Sequence, residues 1–119
     1  MTGIVVITEE TFGTIKKIKF AWTSTAGGAA SDITVNAYSG KILGLATVPD
    51  ADDAPTSYGV TVTDEDSMDV LMGGGAGRSA TVTEYVLSAS LGAVANDKLT
   101  INISGAGASK KGIAYLYIR

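Results

Sequence analysis

Along most of this chain apolar and polar side chains alternate with a period of two, as they do in half-buried β-strands. Ile4 to Thr8 is a short β-branched run bounded by Gly3 and the Glu9–Glu10 pair. Thr14 to Trp22 alternates clearly, with Ile18, Phe20 and Trp22 on one face and Lys17, Lys19 and Ala21 on the other. Ile33, Val35 and Ala37 predict one face of a third strand, and the Ser39–Gly40 pair suits a tight hairpin into Lys41–Val48. Pro49 and Pro55 bracket an acidic loop, Asp50 to Asp53, that cannot continue a central strand. Tyr58, Val60 and Val62 alternate with Gly59, Thr61 and Thr63. Asp64 to Met72 reads as an acidic turn and a short strand, cut off by Gly73–Gly74–Gly75, with a helical turn as the alternative. Thr81 to Ser90 predicts a further strand, with Val82 and Val86 opposite Thr83, Tyr85 and Leu87. Leu99, Ile101 and Ile103 mark another. The last, Ile113 to Ile118, is apolar on both faces, which places it centrally in a sheet or at an interface.

These elements predict an all-β chain of eight to nine short antiparallel strands joined by Gly-rich turns. The expected architecture is a β-sandwich, a jelly roll or a small barrel, with residues 1–119 as one domain. No long amphipathic helix is visible, which argues against a βαβ fold.

Composition narrows the chemistry. The chain has no cysteine and no histidine, so disulfides, thiolate metal sites and the usual general base are all missing. No cofactor and no enzymatic activity are expected. A net charge of −3 argues against a phosphate-neutralising surface for nucleic acid. No apolar run reaches the ~18 residues of a membrane span, and Met1 to Glu9 lacks the basic start and apolar stretch of a signal peptide. Synthesis in a host cytoplasm is the expectation. Charged residues make up only 18% of the chain against 45% hydrophobic ones, which leaves apolar surface for a partner to cover. A homodimer or homotrimer is expected.

Several candidate motifs dissolve on inspection. Gly73-Gly74-Gly75-Ala76-Gly77-Arg78-Ser79 resembles a phosphate loop, but its spacing is one residue short and arginine replaces the lysine. It reads as a loop that could order against a neighbour, with Arg78 as an anchor. Asp50, Asp52, Asp53, Asp64, Glu65, Asp66 and Asp69 offer oxygen ligands for a hard cation, yet lack the spacing of a calcium loop. They read as solvated turns. Ser109-Lys110-Lys111 lacks an S-x-x-K arrangement. Trp22, Phe20 and the tyrosines at 38, 58, 85, 115 and 117 suit core or interface packing better than a sugar-stacking platform. The interface residues expected from sequence are Trp22, Arg78, Tyr115 and Tyr117. A basic strand carrying Lys16, Lys17 and Lys19 could meet the acidic loops of another copy.

Three stretches carry a resemblance. They are Ile7-Thr8-Glu9-Glu10-Thr11-Phe12-Gly13 with Ile15 to Ser24, Val60 to Asp66, and Leu87 to Thr100, together with the Tyr115-Leu116-Tyr117-Ile118-Arg119 end. In these the chain resembles small structural proteins of tailed-phage and prophage heads. The resemblance implies a capsid decoration or cement protein, with the major capsid protein and further copies of itself as partners, at the capsid surface of a virion. A tail, adaptor or fibre-associated component is the structural alternative. A carbohydrate- or cell-surface-binding β-module is the alternative of a different class.

Overall fold

The computed structural model describes residues 3–119. It contains nine strands: β1 (Ile4–Phe12), β2 (Ile15–Thr23), β3 (Ala30–Ile33), β4 (Tyr38–Pro49), β5 (Gly59–Thr63), β6 (Glu84–Leu87), β7 (Ala93–Asp97), β8 (Thr100–Ser104) and β9 (Lys111–Ile118). They form two antiparallel sheets packed as a β-sandwich. The larger runs β1-β2-β9-β4-β6 with β7 also on β4, and the smaller runs β3-β8-β5.

The apolar residues of each sheet's inner face explain the stacking. Ile18, Phe20 and Trp22 of β2, Leu45 of β4, and Leu116 and Ile118 of β9 are buried against Val60 and Val62 of β5, Leu99, and Ile101 and Ile103 of β8. β1 and β2 form a hairpin closed by Gly13-Thr14. Gly13, at φ +61°, supplies the positive φ that a two-residue hairpin turn needs. β9 lies between β2 and β4, as its doubly apolar sequence predicts.

The strand pattern departs from the sequence reading in three places, each for a local reason. Ser39–Gly40 is not a hairpin. β4 runs through it, and Gly40, at φ +142°, sits at a register shift where a Cβ would strike the carbonyl of Arg119. Ile33, Val35 and Ala37 are not a buried face either: Ile33 and Val35 are exposed, and the buried residue is Thr34. Its hydroxyl accepts from the Leu99 N–H at 3.0 Å and donates to the Asn36 carbonyl at 2.9 Å, replacing ladder bonds as β3 ends. Thr81 to Ser90 is a strand only over Glu84–Leu87. The Ser79 hydroxyl accepts from the N–H groups of Thr81 and Val82, so that segment turns before pairing begins.

Beyond β6, Ser88–Ser90 forms a 3₁₀ turn, and β7, which the alternation did not reveal, resumes along the same edge of β4. Lys41 fills the interruption, its Nζ donating to the carbonyls of Ser88 at 2.8 Å and Leu91 at 2.6 Å. The short strand expected after the acidic turn shrinks to one bridge, Thr63 to Asp69.

Both open sides of the sandwich are closed. Residues 70–78 run beside β5, with Val70 N–H donating to Val62 and Val60 N–H to the Gly75 carbonyl, both at 2.8 Å. The same segment reaches the large sheet through Gly92 N–H, which donates to the Val70 carbonyl at 2.8 Å. On the other side the Glu9 carboxylate of β1 accepts from the N–H groups of Val35 and Asn36, the Asn36 amide and the Tyr38 hydroxyl. The outer edge of β5 is thus covered, and β1 is tied to the segment after β3.

Within the core, the Trp22 and Tyr58 rings pack with centroids 5.1 Å apart. Trp22 Nε1, Tyr58 Oη and Thr47 Oγ1 are buried without a well-formed hydrogen bond among the described residues, although the Thr47 and Tyr58 hydroxyls lie beside each other. A buried polar atom with no partner opposes folding, so replacing it by an apolar group of the same shape costs little. Thr47→Val is expected to leave the melting temperature unchanged or raise it. Calorimetry showing a loss of more than ~1 kcal/mol would mean that the hydroxyl has a partner.

Candidate interaction surface

The two outer faces of the sandwich differ in chemistry. On the small sheet the outward positions are Ser31 and Ile33, Thr100, Asn102 and Ser104, and Gly59, Thr61 and Thr63, nearly all small and polar. Ser31 and Asn102 hydrogen-bond across the strands at 2.9 Å. Such a face is at ease in water.

The large sheet has the opposite character. Strand register places Val6, Ala21, Ile113 and Val48 in one outward row. The next row is Thr8, Lys19, Tyr115, Ala46 and Tyr85, and the one after it Glu10, Lys17, Tyr117, Gly44 and Leu87. Ile4 is 55% exposed, Val6 61%, and Tyr85 and Leu87 74% each, so these apolar groups meet solvent rather than the core. Apart from Thr8, Glu10, Lys17 and Lys19 on β1 and β2, this sheet is therefore apolar on both sides, whereas a solvent-facing antiparallel sheet normally is polar on one.

The face has relief. A recess of about 370 Å³ lies between Ile4 and Val6 at one edge and Val48, Pro49 and Ile113 in the middle. A smaller trough of about 140 Å³ has Gly44 and Ala46 as its floor, with Tyr117 on one side and Tyr85 and Leu87 on the other. Lys17 Nζ sits 5.2 Å from the centre of the Tyr115 ring, a cation–π contact that steadies both side chains.

Of the residues expected at an interface, Tyr115 and Tyr117 lie on this face, half-buried. Trp22 does not: it is 1% exposed, facing inward between β9 and Tyr58, because its strand parity follows Ile18 and Phe20. Arg78 is an internal tie. Its guanidinium lies 3.7 Å from the Glu84 carboxylate and donates to the Ala76 carbonyl at 3.2 Å, with the side chain 17% exposed. The sequence reading missed Ile4, Val6, Tyr85 and Leu87. Their signal was the parity of β1 and β6, legible once each strand's partner and register are known.

The Gly-rich loop is built for packing. A Cβ on Gly75 would lie 2.0 Å from the Val60 carbonyl oxygen, so only glycine allows this segment to hydrogen-bond beside β5. The acids shape turns. The Asp50 carboxylate accepts from the N–H groups of Asp52 and Asp53, which holds it below the usual carboxylate range. Asp64 accepts from Asp66 and Met68, and Asp69 from Val62, Leu71 and Gly73. Asp64, Asp66 and Asp97 bring carboxylate oxygens within 4.8 Å of one another. Desolvation first, then the charges of Glu65, Asp66 and Asp64, raise Asp97 above its ordinary value.

No protein-family model, curated protein or solved structure matches this chain. No helix among the described residues is long and apolar enough to cross a membrane.

Proposed function

We propose that this chain is a non-enzymatic structural component of a phage virion, a capsid decoration or cement protein that stabilises the major capsid lattice. The observation that carries the reading is the outer face of the large sheet: a broad, uncovered and largely apolar surface is the mark of an assembly unit. The acidic and glycine-rich motifs add weight, since the structure uses most of them to form turns and close packing. The resemblance of the β1–β2 region, residues 60–66 and residues 87–100 to phage head proteins supplies the virion context. In this reading the partners are the major capsid protein and further copies of the chain, with no nucleic acid and no membrane. The protein is made in the host cytoplasm and resides at the capsid surface. A lattice protein needs only complementary surfaces, because many copies multiply weak contacts.

Quantitative mass spectrometry of purified virions tests this. A copy number equal to that of the major capsid protein, or a simple fraction of it, is the expected result. A dozen copies or fewer would transfer the chain to the tail, adaptor or fibre region. Complete absence would overturn the virion reading. The carbohydrate-binding alternative has lost its central aromatic, because Trp22 lies in the core.

A further inference from the structure

We infer that the outer face of the large sheet is a two-fold interface between two copies of this chain, stacked face to face. The inference is read from the face itself and stands apart from the virion reading. Size, charge and symmetry carry it.

With the row of Ile4, Thr23 and Lys111 added to the three above, five strand positions ~4.8 Å apart and four outward rows ~6.8 Å apart give a face of about 24 by 27 Å. Pairing two such faces covers more than ~1,000 Å² in total, the size at which specific interfaces begin.

The charges on this face are divided between its ends. Lys17 and Lys19 stand toward the β1–β2 turn, and with Glu10 paired beside Lys17 they leave that end with one net positive charge. Asp50 and Asp53 stand at the opposite end, where β4 runs out beside Lys111. Asp52, exposed on the same loop, adds to the acid end. Lys111, at the same end, is already 3.7 Å from Asp53.

A two-fold axis lying in the interface and running roughly across the strands turns one sheet end for end upon the other. Each copy then sets its Lys17 row toward the acid end of its partner, and both contacts form at once. The row of Val6, Ala21, Ile113 and Val48 comes to lie over the row of Tyr115 and Ala46. Ile113 then faces Tyr115 and Val48 faces Ala46, so the apolar middle of each face meets the apolar middle of the other. Isologous contact requires this kind of self-complementarity, in which one patch serves both partners. The small sheet's polar face has neither the apolar area nor the divided charge.

Light scattering on the full chain, from micromolar to hundreds of micromolar, tests the inference, with sedimentation to obtain the dissociation constant. The wild type is expected to be a dimer at the upper end. Val6→Glu and Tyr85→Glu, at exposed positions on the two edges, should each weaken dimerisation ~10-fold by setting a carboxylate against apolar side chains. Both should leave the melting temperature of the diluted protein unchanged. Lys17→Glu with Lys19→Glu should weaken it ~10-fold, and adding Asp52→Lys should recover part of that loss.

A wild type that stays monomeric throughout would overturn the inference, as would a trimer or a dimer indifferent to all these variants. If the protein is monomeric but Val6→Glu abolishes its incorporation into virions, the face belongs to the capsid protein. That result overturns the homodimer and leaves the virion reading standing.

Discussion

Gly112→Ala is expected to lower the melting temperature by about 12 °C. Gly112 lies in β9 between Trp22 of β2 and Pro49 of β4. A Cβ there would meet Trp22 Cζ2 at 2.4 Å and Cε2 at 2.8 Å. The indole has nowhere to go: it is 1% exposed and packed on Tyr58. Gly112 is not in the left-handed region, so the cost is steric and not one of backbone conformation. Overpacking a tight core costs ~1–3 kcal/mol. The upper end applies here, because the obstacle is a rigid ring and not the tip of a flexible chain. At roughly 4 °C per kcal/mol for a chain of this size, ~3 kcal/mol gives the stated shift. The cause is checked by a double-mutant cycle. In a Trp22→Phe background, where the indole's second ring is gone, Gly112→Ala should cost less than half as much. Equal costs in both backgrounds would place the strain elsewhere.

Glu9→Ala is expected to destabilise by about 2 kcal/mol and to change the pH dependence of stability. Glu9 joins β1 to the segment after β3, accepting from Val35 N–H at 2.9 Å, Asn36 N–H at 3.1 Å and the Tyr38 hydroxyl at 2.5 Å. Tyr38 is 7% exposed, so truncation deprives a part-buried hydroxyl of its charged acceptor and leaves it Asn36 alone. Partial burial pushes the Glu9 carboxyl up, but the hydrogen bonds from Tyr38, Val35 and Asn36 together outweigh it and hold it below its ordinary 4.5. A carboxyl depressed in the folded state stabilises the fold above its unfolded value and loses that contribution as pH falls through the folded one. Stability should therefore decline below pH 4.5. Tyr38 moves the other way. Burial first, then the bond to Glu9, raise it above its ordinary 10.0, so stability should also fall as pH rises past that value. Denaturation across pH should show both limbs in the wild type. Glu9→Ala should flatten the acid limb, and Glu9→Gln, which still accepts from Tyr38, should fall between the two. An acid limb unchanged by Glu9→Ala would assign it to other carboxylates.

Where a strand alternates and faces one core, its face was legible from the sequence. Ile18, Phe20 and Trp22, then Val60 and Val62, then Ile101 and Ile103 all point inward as their periodicity indicates. The central place of β9 followed from its double hydrophobicity. The failures lie where side-chain hydrogen bonds or a neighbouring backbone replace ladder pairing. Thr34 ends β3 by supplying its own bonds, and Gly40 opens a bulge because the Arg119 carbonyl comes close. β6 and β7 are one edge broken by a turn that Lys41 braces, and no local period records that. The candidate face was half-visible. Tyr115 and Tyr117 were readable from β9 alone, whereas Tyr85 and Leu87 joined them only through β4, since face membership across a sheet depends on register. Trp22 was misplaced by the converse reasoning. Its aromatic character suggested an interface, but its parity with Ile18 and Phe20 had already assigned it to the core.

The central claim is that the outer face of the large sheet is a contact surface, and hydroxyl-radical footprinting at rising protein concentration tests it most directly. Tyr85 and the half-buried Tyr115 and Tyr117 report on that face, and Met68, 66% exposed in the acidic turn after β5, serves as the internal control. The account predicts that labelling of the three tyrosines falls as concentration rises while Met68 stays reactive. Tyrosines that label equally at every concentration, or protection at Met68 in their place, would contradict it.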